Sequence, residues 1–67
     1  MVYKTIWRLP EVRARTGLSR SSIYEKMSKG EFPLSINLGL RAVGWDSEDI
    51  NDWIQQRIDD SRREDRI

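Results

Sequence analysis

The 67-residue chain contains no cysteine and no histidine. Without cysteine, neither a disulfide nor a thiolate metal site can reinforce a small fold. Without histidine, the usual general base and the commonest metal ligand are both missing. No apolar run approaches the roughly 20 residues that span a membrane, and the N-terminus lacks the apolar segment of a signal peptide. These absences argue against an enzyme and against any metal or cofactor. A cytoplasmic location away from membranes fits them.

What remains is one small domain, whose core must use every large apolar side chain well. Trp7, Trp45 and Trp53 therefore read as core residues first, not as platforms for stacked bases. Net charge is only +1, yet it is unevenly spread. Residues 1–45 hold eight lysines and arginines against three glutamates, a net of +5; residues 46–67 hold four arginines against eight carboxylates, a net of −4. A basic front joined to an acidic back orients toward phosphate, although small domains also show such asymmetry by chance.

Pro10 suits the first turn of a helix, where its missing N–H costs nothing, and the pattern predicts a first helix over Pro10 to Thr16. Gly17 follows where a left-handed residue ends a helix cheaply, and Leu18 plugs the angle to a second helix over Arg20 to Lys29. Ser19, Ser21 and Ser22 compete to cap that helix. Ser22 with Glu25 matches a capping box, but Ser19 fits the turn length better. Ile23 and Met27 share its apolar side, and Gly30 ends it.

Pro33 keeps Phe32 extended and starts a hairpin over Ile36 to Trp45. With Gly39 and Leu40 central in a type II′ turn, Leu38 faces Arg41, Ile36 faces Val43 and Leu34 faces Trp45. Alternation then puts all six on one face, with Arg41 at the tip. Asp46 caps a last helix with Glu48 and Asp49 in its first turn. Ile50, Trp53, Ile54, Arg57 and Ile58 follow the spacing of an amphipathic helix that closes the core. The residues before Ile6 are too few to assign, and Tyr3 and Ile6 are left to pair or to pack as a lid. The expected division is a domain over 1–58 and a charged, frayed tail over 59–67.

The expected fold class is mainly α with a small β-hairpin: a monomeric winged helix-turn-helix of three helices and a two-stranded wing. A short helix, a glycine-containing turn and a polar second helix suit a recognition helix in a DNA major groove. The combination Arg8-Leu9-Pro10-Glu11-Val12, Thr16 to Tyr24, Gly30-Glu31-Phe32-Pro33 and Leu38 to Trp45 resembles the AlpA family. These are small phage- and prophage-borne regulators, related in architecture to phage excisionases and to the winged-helix domain of MerR-type regulators. The resemblance covers most of the chain, counting the last helix through Ile58. It departs from the expected wing at Leu40, where a proline or polar residue is easier to explain.

The resemblance implies that the second helix lies in the major groove and the hairpin tip against the minor groove or its phosphates. Carried over, the DNA-facing positions are Ser19, Arg20, Ser21, Ser22, Tyr24 and Lys26 on the helix and Arg41 on the wing. Arg20 and Arg41 are the strongest candidates, against solvated surface charge as the plain alternative. For the serines that alternative is capping, for Tyr24 core packing, and for Glu25 an ion pair with Lys29 instead of a cytosine contact. The implied role is regulation of mobile-element transcription, or excision as a directionality factor for an integrase. Duplex DNA is the expected partner, with an integrase or RNA polymerase as protein partners and cooperative self-association on DNA. The rival reading is a protein-interaction module or antirepressor acting through the acidic last helix.

Overall fold

In a computed structural model that describes residues 4–64, six elements follow in order. They are β1 (Ile6–Trp7), α1 (Leu9–Thr16), α2 (Arg20–Ser28), β2 (Ile36–Gly39), β3 (Ala42–Asp46) and α3 (Ser47–Glu64). The architecture is mainly helical with a small antiparallel wing, the winged-helix-like arrangement that the residue pattern predicts.

Local signals set the helix-turn-helix. Arg8 is extended before α1 and Pro10 sits in its first turn. Gly17 adopts φ 75°, and its N–H reaches the Arg13 carbonyl at 2.8 Å. Thr16 Oγ1 donates to the Val12 carbonyl at 2.8 Å and accepts from the Leu18 N–H at 3.2 Å, pinning the turn from inside. Ser19 is extended, and its Oγ accepts the Ser22 N–H at 3.1 Å. Ser19 is thus the cap, as its place in the turn implies.

Val12, Ile23, Phe32, Trp45 and Ile50 form the buried core, ringed by Trp7, Leu9, Leu18, Met27, Val43, Trp53 and Ile54. Every element but β2 contributes to that set. Trp45 is fully buried, whereas Trp7 and Trp53 are half-buried at its margin. Asp46 Oδ1 accepts the Glu48 N–H at 2.9 Å and starts α3. The helix runs past Ile58 to Glu64. Gln55 donates to Asp59 and Gln56 to Asp60, each at 3.0 Å, and Arg57 pairs with Asp60 at 3.1 Å. Such contacts three and four residues apart support a polar helix without a core. The remainder of the expected tail, 65–67, and Tyr3 lie outside the described residues.

The sheet differs from expectation in two ways. It has three strands in the order β1-β3-β2, because Ile6 and Trp7 pair with Asp46 and Trp45. Its hairpin register is also displaced. Ile36 faces Gly44, Asn37 faces Val43 and Gly39 faces Ala42, with an irregularity between Asn37 and Gly39. The Asn37 side chain causes it by accepting the Gly39 N–H at 2.9 Å, so that the turn falls on Leu40 and Arg41. A one-residue slip exchanges faces. Val43 and Trp45 therefore point inward while Leu34, Ile36 and Leu38 stay exposed.

Gly44 is required where Ile6 and Leu38 close over β3. A Cβ there lies 2.5 Å from Ile6 Cγ2, 3.0 Å from Leu38 Cδ1 and 3.2 Å from the Trp7 carbonyl oxygen. The Gly44→Ala variant is expected to lose about 1–3 kcal/mol of stability by overpacking. Thermal denaturation followed by circular dichroism measures this, and an unchanged melting curve contradicts it.

Candidate nucleic-acid interface

Helical spacing divides α2 into two sides. Ile23 is buried and Met27 half-buried, and Ser22 and Lys26 flank them, also half-buried. Arg20, Ser21, Tyr24, Glu25 and Ser28 are exposed. Of the sequence-derived positions, the helix therefore brings Arg20, Ser21 and Tyr24 together on its outer side. Ser22 and Lys26 stand at the edge of that surface, one turn apart. Ser19 precedes it.

The serines are not equivalent. Ser19 Oγ accepts the cap bond and donates to Ser22 Oγ at 3.0 Å, so both hydroxyls are engaged within the turn. Ser21 makes no hydrogen bond through its side chain among the described residues. Tyr24 is a borderline case, 37% exposed while meeting Trp45 edge-on at 6.4 Å between ring centroids. The Arg20 guanidinium lies over the Tyr24 ring at 5.3 Å. Arg20, Tyr24 and Trp45 thus form a stack running from the outer surface of α2 to the core, and it holds Arg20 along the helix. The plain reading holds for Glu25, which pairs with Lys29 at 3.0 Å. Hydrogen bonding and charge from Lys29 hold the Glu25 carboxyl below its ordinary range, and Glu25 raises Lys29 in turn.

Arg41 arrives on another element. It lies in the β2–β3 turn with φ 58°, a left-handed conformation that side-chain-bearing residues seldom adopt. The base of that hairpin is tied to α2 through Trp45 and to α1 through Arg8, whose Nε donates to the Val43 carbonyl at 2.8 Å. Arg8 is a positioning residue that the sequence did not reveal, because its partner is a backbone group 35 residues away.

Ion pairing sorts the cations of this half. Lys4 reaches Asp46 and Glu48 at 3.6 and 3.4 Å, and both raise its pKa, the Glu48 hydrogen bond most. Arg15 pairs with Glu11 at 3.0 Å while covering Trp7 at 4.7 Å. Lys29 is committed to Glu25. Among the described residues up to 45, Arg8, Arg13, Arg20, Lys26 and Arg41 have no carboxylate partner, and Arg8 is held by the Val43 carbonyl. Arg13 was not singled out from sequence; it is exposed on α1 beside the stripe of Leu9, Val12 and Thr16. It borders a shallow groove of about 490 Å³ with Pro10, Ala14, Gly17, Leu18 and Ser19, across the helix-turn-helix.

Fold and surface together define a winged-helix-like protein with a cationic helix-turn-helix and an arginine-tipped hairpin. The family model described as prophage CP4-57 regulatory protein (AlpA) matches residues 5–58, and the chain belongs to that family. An uncharacterized protein, ORF88, of Enterobacteria phage P4 is 45% identical over 56 residues, 84% of this chain. The match spans 64% of that phage protein, somewhat under two thirds of its length. The DNA-binding transcriptional activator AlpA of Escherichia coli K12 is 36% identical over 58 residues, covering 78% of this chain and 83% of AlpA.

The two serine roles separate by stability. Ser19→Ala is expected to cost about 1 kcal/mol through the lost cap, whereas Ser21→Ala stays within about 0.5 kcal/mol of the parent. Urea denaturation of the two variants checks this; equal midpoints contradict the assignment.

Proposed function

We propose that the chain binds duplex DNA, with α2 in the major groove and the hairpin tip against the minor groove, and regulates genes of a phage or prophage. One observation carries this reading: of the five cations up to residue 45 that lack carboxylate partners among the described residues, Arg13, Arg20, Lys26 and Arg41 lie on the helix-turn-helix and the wing tip, and Arg8 stands at the wing's base. Membership of the AlpA family and likeness to a DNA-binding transcriptional activator support it. Arg20 and Ser21 are assigned to base edges or nearby phosphates, Tyr24 and Lys26 to the flanks of that contact, and Arg41 to the minor groove. Ser19 and Ser22 present the helix N-terminus by closing its cap, with the Ser22 N–H spent on Ser19 Oγ, and the first N–H groups of the helix attract phosphate.

No catalysis enters this reading, nor any cofactor. The same surface serves transcriptional control and the architectural role of an excisionase, in which several copies bind adjacent sites, bend the DNA and favour excision by an integrase. RNA polymerase is the corresponding partner at a promoter. The protein acts in the cytoplasm on the nucleoid, through the domain over 1–58. Self-association on DNA uses the opposed charges of the basic front and acidic α3. A second reading draws on a groove of about 580 Å³ beside α3, where Glu31, Asp49 and Asp52 outnumber Arg57 around Phe32 and Trp53. That surface suits a basic protein segment, the antirepressor role.

Neutralising about four to six phosphates gives a log affinity that falls with log salt at a slope of roughly −4 to −5. A slope near zero rejects the DNA reading and leaves the protein-interaction role. Arg41→Asn removes the charge yet tolerates the left-handed turn, and flattens the slope by about one unit. Arg20→Ala costs on the order of 1–3 kcal/mol and relaxes preference at one or two base pairs. Binding-site selection with that variant reads this out, and an unchanged preferred sequence demotes Arg20 to a phosphate contact. Footprinting across the host element then separates a promoter from an attachment site.

A further inference from the structure

We propose that Leu40 is an apolar wedge that enters the minor groove between two stacked base pairs and kinks the duplex. The inference rests on the duplex-DNA reading above and adds a residue and a mechanism to it. Leu40 is 95% exposed, the most exposed of the large hydrophobic side chains. It occupies a two-residue turn with Gly39 before it and Arg41 after it, so no side chain stands on its Gly39 flank. A minor groove is about 6 Å wide, which admits a slender turn but not a broad surface.

The tip is also held in one shape. Arg41 keeps φ 58° against its intrinsic preference, and Asn37 clamps the Gly39 N–H. A left-handed residue in a tight hairpin turn fixes the course of the tip. The left-handed residue is the cation, next to the leucine in the chain and without a carboxylate partner among the described residues. A cation to grip the groove and an apolar side chain to part a base step are the two parts of minor-groove proteins that kink DNA. The rival is a protein partner, such as a second copy, seated on the apolar edge that Leu34, Ile36 and Leu38 also leave exposed; Leu40 differs from them in standing at the tip, next in the chain to a cation without a carboxylate partner among the described residues.

The test uses the full chain and a duplex of about 30 base pairs recovered by binding-site selection with that chain. Dyes at the two ends report bending, and 2-aminopurine placed at successive steps reports unstacking. The parent protein is expected to raise energy transfer and to raise 2-aminopurine fluorescence at one step beneath the wing. Leu40→Ala should bind about tenfold more weakly and lose both signals, and Leu40→Met should restore them. Circular-dichroism melts of all three should coincide, since so exposed a side chain supports no packing. Binding in which both signals survive Leu40→Ala overturns the wedge and leaves the DNA reading intact. So does sedimentation showing that Leu40→Ala dissociates a dimer of the free protein. Absence of binding to any duplex at low salt overturns both.

Discussion

The fold turns on the burial of Trp45. An indole at zero exposure must place its N–H, and Trp45 Nε1 donates to the Pro33 carbonyl at 3.1 Å. Trp53 Nε1 makes the corresponding bond to the Glu31 carbonyl at 2.9 Å, with Phe32 meeting Trp53 edge-on at 5.0 Å. The two indoles thereby grip the segment Glu31-Phe32-Pro33 from β3 and from α3. This link matters because a chain without cysteine or histidine has no disulfide or zinc to hold its loops. The polar ends of its largest side chains do that work, and their apolar bodies fill the core. Phe32 is buried as a consequence of the grip, so the link between α2 and the hairpin has a fixed course.

The surface inherits its order from that arrangement. Trp45 lies in β3 on the inner face, packs on Tyr24 of α2 and pairs with Trp7 across the sheet. Arg8 adds a bond from the start of α1 to the same strand. The base of the wing is therefore fixed against both helices of the helix-turn-helix. Its tip depends on the β2–β3 ladder and on Asn37. A rigid base with a protruding tip lets one body present two separate contacts at a set spacing. A recognition helix and a wing need that to engage adjacent grooves of a duplex.

The helices were legible because their boundaries are written in local chemistry. Pro10, Gly17, Ser19 and Asp46 each act within a few residues of their own position, and all behave as their types predict. The interior of α3 was legible from the spacing of Ile50, Trp53 and Ile54. Its continuation to Glu64 was not, since charge density alone does not distinguish a solvated helix from a frayed end. The hairpin register failed for a different reason. Alternating apolar residues at Leu34, Ile36 and Leu38 read as an inward face, but the side-chain bond from Asn37 shifts the pairing and turns them outward. Asparagine capturing a backbone N–H two residues on is a turn device, and periodicity does not register it. Candidate binding residues were legible where exposure follows from helical spacing, as for Arg20 and Ser21. Arg8 was hidden because only the folded chain brings it to Val43.

Charge shows the same contrast between a count and an arrangement. The excess of +5 over residues 1–45 suggests a uniformly basic front. The fold commits Lys4, Arg15 and Lys29 to carboxylates and turns Arg8 to a carbonyl. Those exposed pairs contribute little to stability, but they cancel local field where they form. Lys4 matters most in this respect, because it spends a basic charge on the acidic start of α3, at Asp46 and Glu48. Among the described residues up to 45, the charges left without carboxylate partners are Arg8, Arg13, Arg20, Lys26 and Arg41, all on or beside the helix-turn-helix and the wing, so a net charge of +1 understates the basic character of this half of the chain. Screening acts within about 10 Å at ordinary ionic strength. An approaching ion therefore senses the groups nearest to it and not the net charge, and a nearly neutral protein can still carry a basic face.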